Sequence, residues 1–342
     1  MGKPTQRCQS SALVLIAVLG LAAPAMAAEA PEPSQYVVGE VVVTAERREE
    51  SLQKVPVAVT ALSSEKVANA NVLNSQELDV LTPGLLTTSV NGSSQTFIRG
   101  VGSQSTVIGT ESSVATYVDG VYVASTTGAI FALNNIERIE VLRGPQGTLF
   151  GRNATGGVIQ VVTLKPHAQP ELKASASYAN YDTITAMAYA SGGNDTVAAN
   201  LALYESYQGK GFGRNVFTGQ ELNYNREFAG RGQLSLKPAE RLSLLFSADY
   251  DRQRNDLGTN RQTLEGTRTI LGGPRVGGPF DGNYNFGVFA KNEQWGLGAD
   301  ANLDLGFANL RSITAYRKYT WLNYYDQDVT PARIIDVVRD EK

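Results

Sequence analysis

The sequence is poor in the residues from which most catalytic and metal centres are built. Its 342 residues hold one cysteine, Cys8, and one histidine, His167. A disulfide framework and a thiolate zinc site are therefore excluded, and a Cys- or His-based nucleophile system has almost nothing to work with. No GxSxG occurs, and His167 sits beside Pro166 without a nucleophile partner in sequence. A surplus of positive charge is missing too. Thirty Lys and Arg stand against 33 Asp and Glu, a net charge of −3, whereas phosphate-seeking surfaces need a clear basic excess. No nucleic-acid partner is expected. Beyond the first thirty residues no apolar run is long enough for a membrane-spanning helix.

What is present begins with an export signal. Lys3 and Arg7 form a positive n-region, residues 11–21 an apolar core, and Ala25-Met26-Ala27 a small-x-small cleavage site. Residues 1–27 are read as a signal peptide, and 28–54 as a periplasmic leader interrupted by Pro31 and Pro33. Cleavage would remove Cys8. Inside the leader lies "EVVVTAERREE" (40–50), whose three valines favour extended backbone. It reads either as the first strand of the following domain or as an uncovered segment free to add to another protein's sheet.

Residues 55–165 have the grammar of an α+β domain. Strands are expected near 57–60, 96–99, 115–118, 121–123, 138–143 and 158–163. Ser63 or Ser64 can cap one short helix, and Ser75 another that stops at Pro83-Gly84. Asp119-Gly120 between apolar runs is a hairpin signal. The stretch "RGPQGTLFGRNATGG" (143–157) carries five glycines but matches neither a phosphate-binding P-loop nor GxGxxG in spacing. It is expected to be a tight structural reversal between two strands, with glycines allowing positive φ.

After Pro166 the period becomes two. In 242–251, Leu242, Leu244, Phe246, Ala248 and Tyr250 share one face. In 295–305, Trp295, Leu297, Ala299, Ala301, Leu303 and Leu305 do the same against Gly, Asp and Asn. Seven such strands are expected, near 171–180, 182–191, 195–207, 226–237, 241–253, 293–305 and 309–321. Tight connections ("SGGND", "KPAE", "GFAN") alternate with long ones, the asymmetry of an outer-membrane barrel. A soluble β-sandwich would alternate similarly but does not call for that asymmetry.

These motifs resemble the TonB-dependent outer-membrane receptor family. "EVVVTAERREESLQKVPVAVTAL" is similar to its energy-coupling box and plug start. "FIRGVGS", "YVDGVYV" and "IERIEVLRGPQGTLFGRNATGGVIQVVT" are similar to successive plug motifs. The resemblance implies an α+β plug domain followed by an antiparallel transmembrane β-barrel, here residues 166–342. The family's barrel has twenty-two strands and about seven are expected here, so the chain reads as an incomplete, N-terminal portion; seven strands in lipid would leave unpaired edges. A terminal aromatic strand and a signalling domain ahead of the box are not seen in this sequence.

The resemblance also implies roles. Glu40, Val41, Val42, Val43, Thr44 and Ala45 would bind TonB, the inner-membrane energy coupler. Arg138, Glu140, Arg143 and Arg152 would hold the plug to the barrel wall, or else pair locally. Arg99, Ser103, Gln104, Ser125 and Thr126 would lie in ligand-facing plug loops. The implied partners are TonB, outer-membrane lipid and a scarce small molecule such as a ferric chelate, in the outer membrane of a Gram-negative bacterium. No enzyme activity, resident metal or cofactor is expected. A passive porin-like channel, a secreted hydrolase and a non-functional truncated product are the competing readings.

Overall fold

The structure, a computed structural model, describes residues 42–44, 50–51, 53, 55–90, 92–105, 110–256, 265–266 and 268–341. The signal peptide, most of the leader, and Glu40, Val41 and Ala45 lie outside the described residues.

The chain opens with two short strands, β1 (Val42–Val43) and β2 (Glu50–Ser51), paired antiparallel. After β3 (Val59–Ser63), Ser63 caps α1 (Ser64–Asn69) by accepting from the Lys66 N–H. A 3-10 helix (Ser75–Val80) follows, capped by Asn74, while Glu77 reaches back to the Leu73 N–H at 2.8 Å. The reciprocal cap satisfies donors that the first turn leaves orphaned. The helices predicted from Ser63 and Ser75 are both present, the second as a tighter 3-10 turn.

Next come β4 (Leu85–Val90), β5 (Ser93–Ile98), β6 (Val101–Gly102), β7 (Val114–Val118), β8 (Val121–Tyr122), β9 (Ile136–Arg143), the single turn α2 (Gly147–Phe150) and β10 (Gly157–Thr163). One sheet has the order β3-β9-β10-β7-β8, with β10 parallel to β7 and antiparallel to β9. The other is β4-β5-β6. Leu62, Leu78, Ile98, Val114, Ile139, Val141 and Ile159 form the core between sheet and helices. β4 was not expected: its "LLTTSV" merges with a Ser- and Asn-rich run in which alternation is hard to see.

The glycine-rich stretch is not the tight reversal expected. Its chain forms a folded loop containing α2, closed by the Gly144 N–H to Gly156 O and the Gln146 N–H to Ala154 O. Phe150 and Ala154 are buried against Tyr117, whose hydroxyl donates to Phe150 O at 2.6 Å.

The second half is one antiparallel meander of eight strands: β11 (Glu171–Ala179), β12 (Thr183–Gly193), β13 (Val197–Gln208), β16 (Asn225–Ala239), β17 (Leu242–Asn255), β18 (Phe289–Asp304), β19 (Asn309–Asp326) and β20 (Asp336–Glu341). A small hairpin, β14 (Gly213–Arg214) with β15 (Glu221–Leu222), sits in the connection after β13. Seven of the eight match the predicted strands. The eighth is only six residues and mostly charged or valine, so it carries no alternation. Burial in β13 alternates strictly, exposed then buried, as a wall with one face covered requires. Short turns at 194–196, 240–241 and 305–308 lie at one end of the strands; the turn 180–182, the connection 327–335 and the longer connections after β13 and β17 lie at the other. No described helix is long and apolar enough to cross a membrane.

Candidate functional site: the plug, its coupling segment and the inner wall

Of the segment 40–45, the described residues Val42–Thr44 are extended, as the valines dictate, and Val43 and Thr44 are covered. Val43 is fully buried against Ala115, Tyr117, Leu142 and Val158. Thr44 donates its N–H to both Glu140 carboxylate oxygens (2.8 and 2.9 Å) and its hydroxyl to the same group (3.0 and 3.2 Å). Thr44 O accepts from Gln160 Nε2 at 3.0 Å. An uncovered edge would leave these backbone groups to water. Here the plug itself satisfies them, because the β9 and β10 side chains at the paired positions Glu140 and Gln160 point at the segment.

The four residues expected at the plug–barrel contact are held within the plug. Arg138 Nε donates to Glu140 at 2.8 Å and Arg138 also bonds Glu137. Arg143 reaches Thr60 Oγ1 at 2.6 Å, and Arg152 pairs with Glu111 at 3.0 Å. Arg138, Glu140 and Arg143 lie on β9, an inner strand flanked by β3 and β10, so their nearest partners are plug groups. Local pairing, the plainer of the two sequence readings, describes the described contacts of all four.

The contacts that do join the two units come from residues the sequence reading passed over. Asp119 begins the two-residue turn between β7 and β8, with φ +49° followed by Gly120 at +82°, the left-handed pair that a type I′ turn needs. Its carboxylate accepts from the Thr163 N–H (2.9 Å) and hydroxyl (2.8 Å) and pairs with Arg231 on β16. Arg231 also reaches Asp249 at 3.2 Å, Asp249 pairs with Arg317 at 2.8 Å, and Arg317 Nε donates to the Tyr319 hydroxyl at 3.0 Å. This chain of charges crosses the inner wall from β16 to β19. Gly128 of the plug lies flat on Tyr319; a β-carbon there would fall 2.0 Å from the ring. The signal available was weak: Asp119 read as a turn residue, and Asp249 as one of several polar residues on an alternating strand.

Around this network the inner wall bonds to plug backbone. Gln294 Nε2 donates to Ile130 O (3.1 Å), Asn200 Nδ2 to Leu164 O (2.8 Å), and Asp251 accepts from the Ala132 N–H (3.1 Å). A cavity of about 50 Å³ lined by Gly128, Ala132, Arg231, Asp251 and Arg317 leaves room for water. His167 closes the junction, its N–H on Ser191 Oγ and its ring on Glu171 at 3.0 Å.

The loop residues divide. Ser125 and Thr126 are held within the plug: Thr126 O accepts from the Ser94 N–H, and Ser125 Oγ is 2.6 Å from Thr127 Oγ1, next to the Gly128–Tyr319 contact. Gln104 stands alongside β5 through Gln95 Nε2 to Gln104 O at 2.6 Å, and Ser103 Oγ accepts from the Ser105 N–H. Arg99 lies apart from Ser125 and Thr126 along the hairpin. It follows β5 at the end of the β4–β5 hairpin away from Gly92, whose carbonyl accepts from Asn292 at 3.5 Å.

Outside the strands, burial pushes the Asp256 carboxyl up to about 6 although it accepts the Asn223 and Tyr224 N–H groups. The Gly278 and Arg214 N–H groups hold Asp281 below the usual carboxylate range. Among the described residues one carboxylate group could hold a cation: Asp326, Asp328 and Asp336, with oxygens within 4.8 Å of one another. Backbone N–H groups of Asp328, Val329, Thr330 and Ile335, with Arg333 and Asn285, already serve these carboxylates.

A small α+β domain is bonded by polar groups to one face of an alternating antiparallel wall. Residues 51–158 match the family model described as TonB-dependent Receptor Plug Domain. These residues, about a third of the chain, are similar to that plug domain. It is 37% identical over 158 residues to the pesticin receptor of Yersinia pestis, covering 45% of this chain and 23% of that protein. It is 27% identical over 264 residues to a vitamin B12 transporter of Vibrio vulnificus, covering 66% of this chain and 42% of the other. In fold it is similar to the ferric yersiniabactin uptake receptor of Yersinia pestis, with a TM-score of 0.67, 23% identity, and coverage of 79% and 42%. The chain thus spans less than half the length of each of these relatives.

Proposed function

We propose that the chain supplies the plug and the first barrel strands of an outer-membrane receptor that takes up a scarce ligand, such as a ferric siderophore, when TonB draws on the segment 40–45. In this reading residues 1–27 are the export signal, 28–54 the periplasmic leader, 55–165 the plug and 166–342 barrel wall. The carrying observation is the polar seating of the plug, Asp119 on Arg231 with backbone carbonyls on Asn200 and Gln294. Hydrogen-bonded contacts can exchange for water as they open, which suits a plug that must move. Relatives named as a pesticin receptor, a vitamin B12 transporter and a ferric yersiniabactin uptake receptor support the class of role. The nearly Cys- and His-free sequence favours a cargo that arrives already chelated.

The test is binding of the chain to the purified periplasmic domain of TonB. An added strand forms four or five backbone hydrogen bonds at about 0.5–1.5 kcal/mol each, a grip of a few kcal/mol. Val42→Pro removes one donor and blocks the ladder. Binding should fall at least tenfold in the variant; unchanged binding overturns the assignment of the segment.

A further inference from the structure

The turn that joins β19 to β20 gathers acid without matching base. Asp326 closes β19, Asp336 opens β20, and the two are directly paired across the ladder. Like charges at opposed positions of a strand pair are destabilising. Asp328 lies between them in sequence, and the three carboxylates have oxygens within 4.8 Å of one another. Burial raises the cost: Asp326 is 0% exposed and Asp328 5%. The basic side chain paired with the group is Arg333, on Asp336 at 2.9 Å and itself 87% exposed. One guanidinium against three carboxylates leaves two negative charges uncompensated.

Hydrogen bonds serve most of these oxygens. Asp326 Oδ1 accepts from the Asp328 N–H at 3.0 Å and the Val329 N–H at 2.7 Å. Asp328 Oδ1 accepts from the Thr330 N–H and hydroxyl, and its Oδ2 from the Ile335 N–H at 2.8 Å. Asp336 accepts from Asn285 Nδ2 at 3.0 Å as well as from Arg333. Asp326 Oδ2 is the exception. The Asn285 N–H faces the same carboxyl, yet Oδ2 itself is buried without a hydrogen-bond partner. Buried charges in proteins are paired or coordinate metals, and a buried polar atom left unmatched is costly. The N–H groups supply dipoles and no net charge, so they orient the carboxylates without neutralising them.

The donor set selects the ion. Every ligand atom on offer is a carboxylate oxygen, which suits a hard cation and not zinc or copper. The scarcity of Cys and His therefore bears on soft metals and not on this group. Three protein carboxylates on one ion favour calcium over magnesium, which keeps several waters and takes one or two carboxylates. Oxygens that share a calcium at about 2.3–2.6 Å stand at most about 5 Å apart, and these meet that limit.

We propose that Asp326, Asp328 and Asp336 bind one calcium ion. The ion turns the repulsion between the opposed Asp326 and Asp336 into shared ligation. It also fixes the connections to one another: Asn285, from the connection after β17, bonds Asp336 and Ala332 O, and Val329 packs on Leu222, Tyr284 and Val288. The proposal is independent of the uptake reading, since binding is read without TonB or cargo. The chain in detergent micelles, stripped with EDTA, is titrated with calcium chloride by isothermal calorimetry. One calcium should bind per chain with a dissociation constant at or below about 10⁻³ M, and magnesium chloride should bind at least roughly tenfold more weakly. Asp326→Asn removes the charge behind the unpaired oxygen and should weaken calcium by roughly tenfold or more. Asp336→Asn, at the least buried of the three, repeats the test with less risk to the fold and should weaken it similarly. Asp300→Asn, at the Arg311 pair on β18, should change nothing. Calcium should also slow hydrogen exchange of the Val329 and Ile335 amides in the parent chain and not in Asp326→Asn. Each protein is compared with itself with and without calcium, so a variant that merely loosens the turn does not imitate the result. Circular dichroism confirms that each variant keeps its strand content. No binding at about 10 mM calcium, or undiminished binding by both variants, overturns the site. Equal affinity for magnesium overturns the choice of calcium.

Discussion

Glu140 is fully buried and holds Arg138 and Thr44 together. Hydrogen bonds to a charged group contribute about 1.5–3 kcal/mol each. Glu140→Ala should therefore speed exchange of the Thr44 amide hydrogen by about ten- to a hundredfold, read by hydrogen exchange, with α1 unaffected. At Asp119–Arg231 both partners are mostly buried and each serves a second group. Removing one partner of such a pair costs roughly 3–5 kcal/mol. Asp119→Ala and Arg231→Met should each lower the denaturation midpoint, and the double variant should cost at least about 1 kcal/mol less than the sum. Strict additivity would show that the pair does not couple plug to wall. Residue roles were the least legible level. Arg138 and Arg143 look available in sequence, yet strand order turns them toward plug partners. Asp119 looks like turn chemistry, yet its position one residue past β7 brings it to β16. Long-range pairing decides both, and no local pattern encodes it.

At the scale of elements, the loop between β9 and β10 separates two kinds of glycine. Gly157 has φ +149°, and a β-carbon there would sit 2.4 Å from Leu142 O, so Gly157→Ala must distort backbone and should destabilise by several kcal/mol. Gly147 begins α2 with open space around its missing β-carbon. Gly147→Ala should be neutral or stabilising by about 0.4–1 kcal/mol, through the entropy of the unfolded chain. Thermal melts of the two variants decide it. The long connections make a pH prediction. Because the folded Asp256 carboxyl titrates near 6 and an unfolded aspartate near 3.9, the native state binds the extra proton in that window. Stability should thus fall as pH rises from about 4 to about 6 and stay lower above it, by an amount on the order of 2–3 kcal/mol. Asp256→Asn should flatten that slope in melts taken at pH 4.5 and 7; an unchanged slope refutes it. Elements were largely legible, because alternation in β13, β17 and β18 and the cap at Ser63 are local signals, while the second helix is capped by Asn74, one residue before the expected Ser75. β4 and β20 were not, being short and polar.

For the whole molecule, a plug with its own core meets the wall along a mostly polar seam, with Ala132 packed on Tyr204 and Ala229. The division was legible at Pro166, where the period changes, but the seam was not, since it joins residues more than a hundred positions apart. The order of the plug sheet has a mechanical consequence. A force applied ahead of β1 passes through β2 and arrives at β3, an outermost strand of the sheet β3-β9-β10-β7-β8. Tension there meets the backbone pairs from Val59–Leu142 onward in succession rather than all together. The opposite margin, β7 and β8, is the one moored to Arg231 through Asp119. A pulled plug therefore frays from its loaded margin while the moored margin stays against the wall, and single-molecule extension should show β3 detaching in a separate early step that Arg231→Met leaves in place.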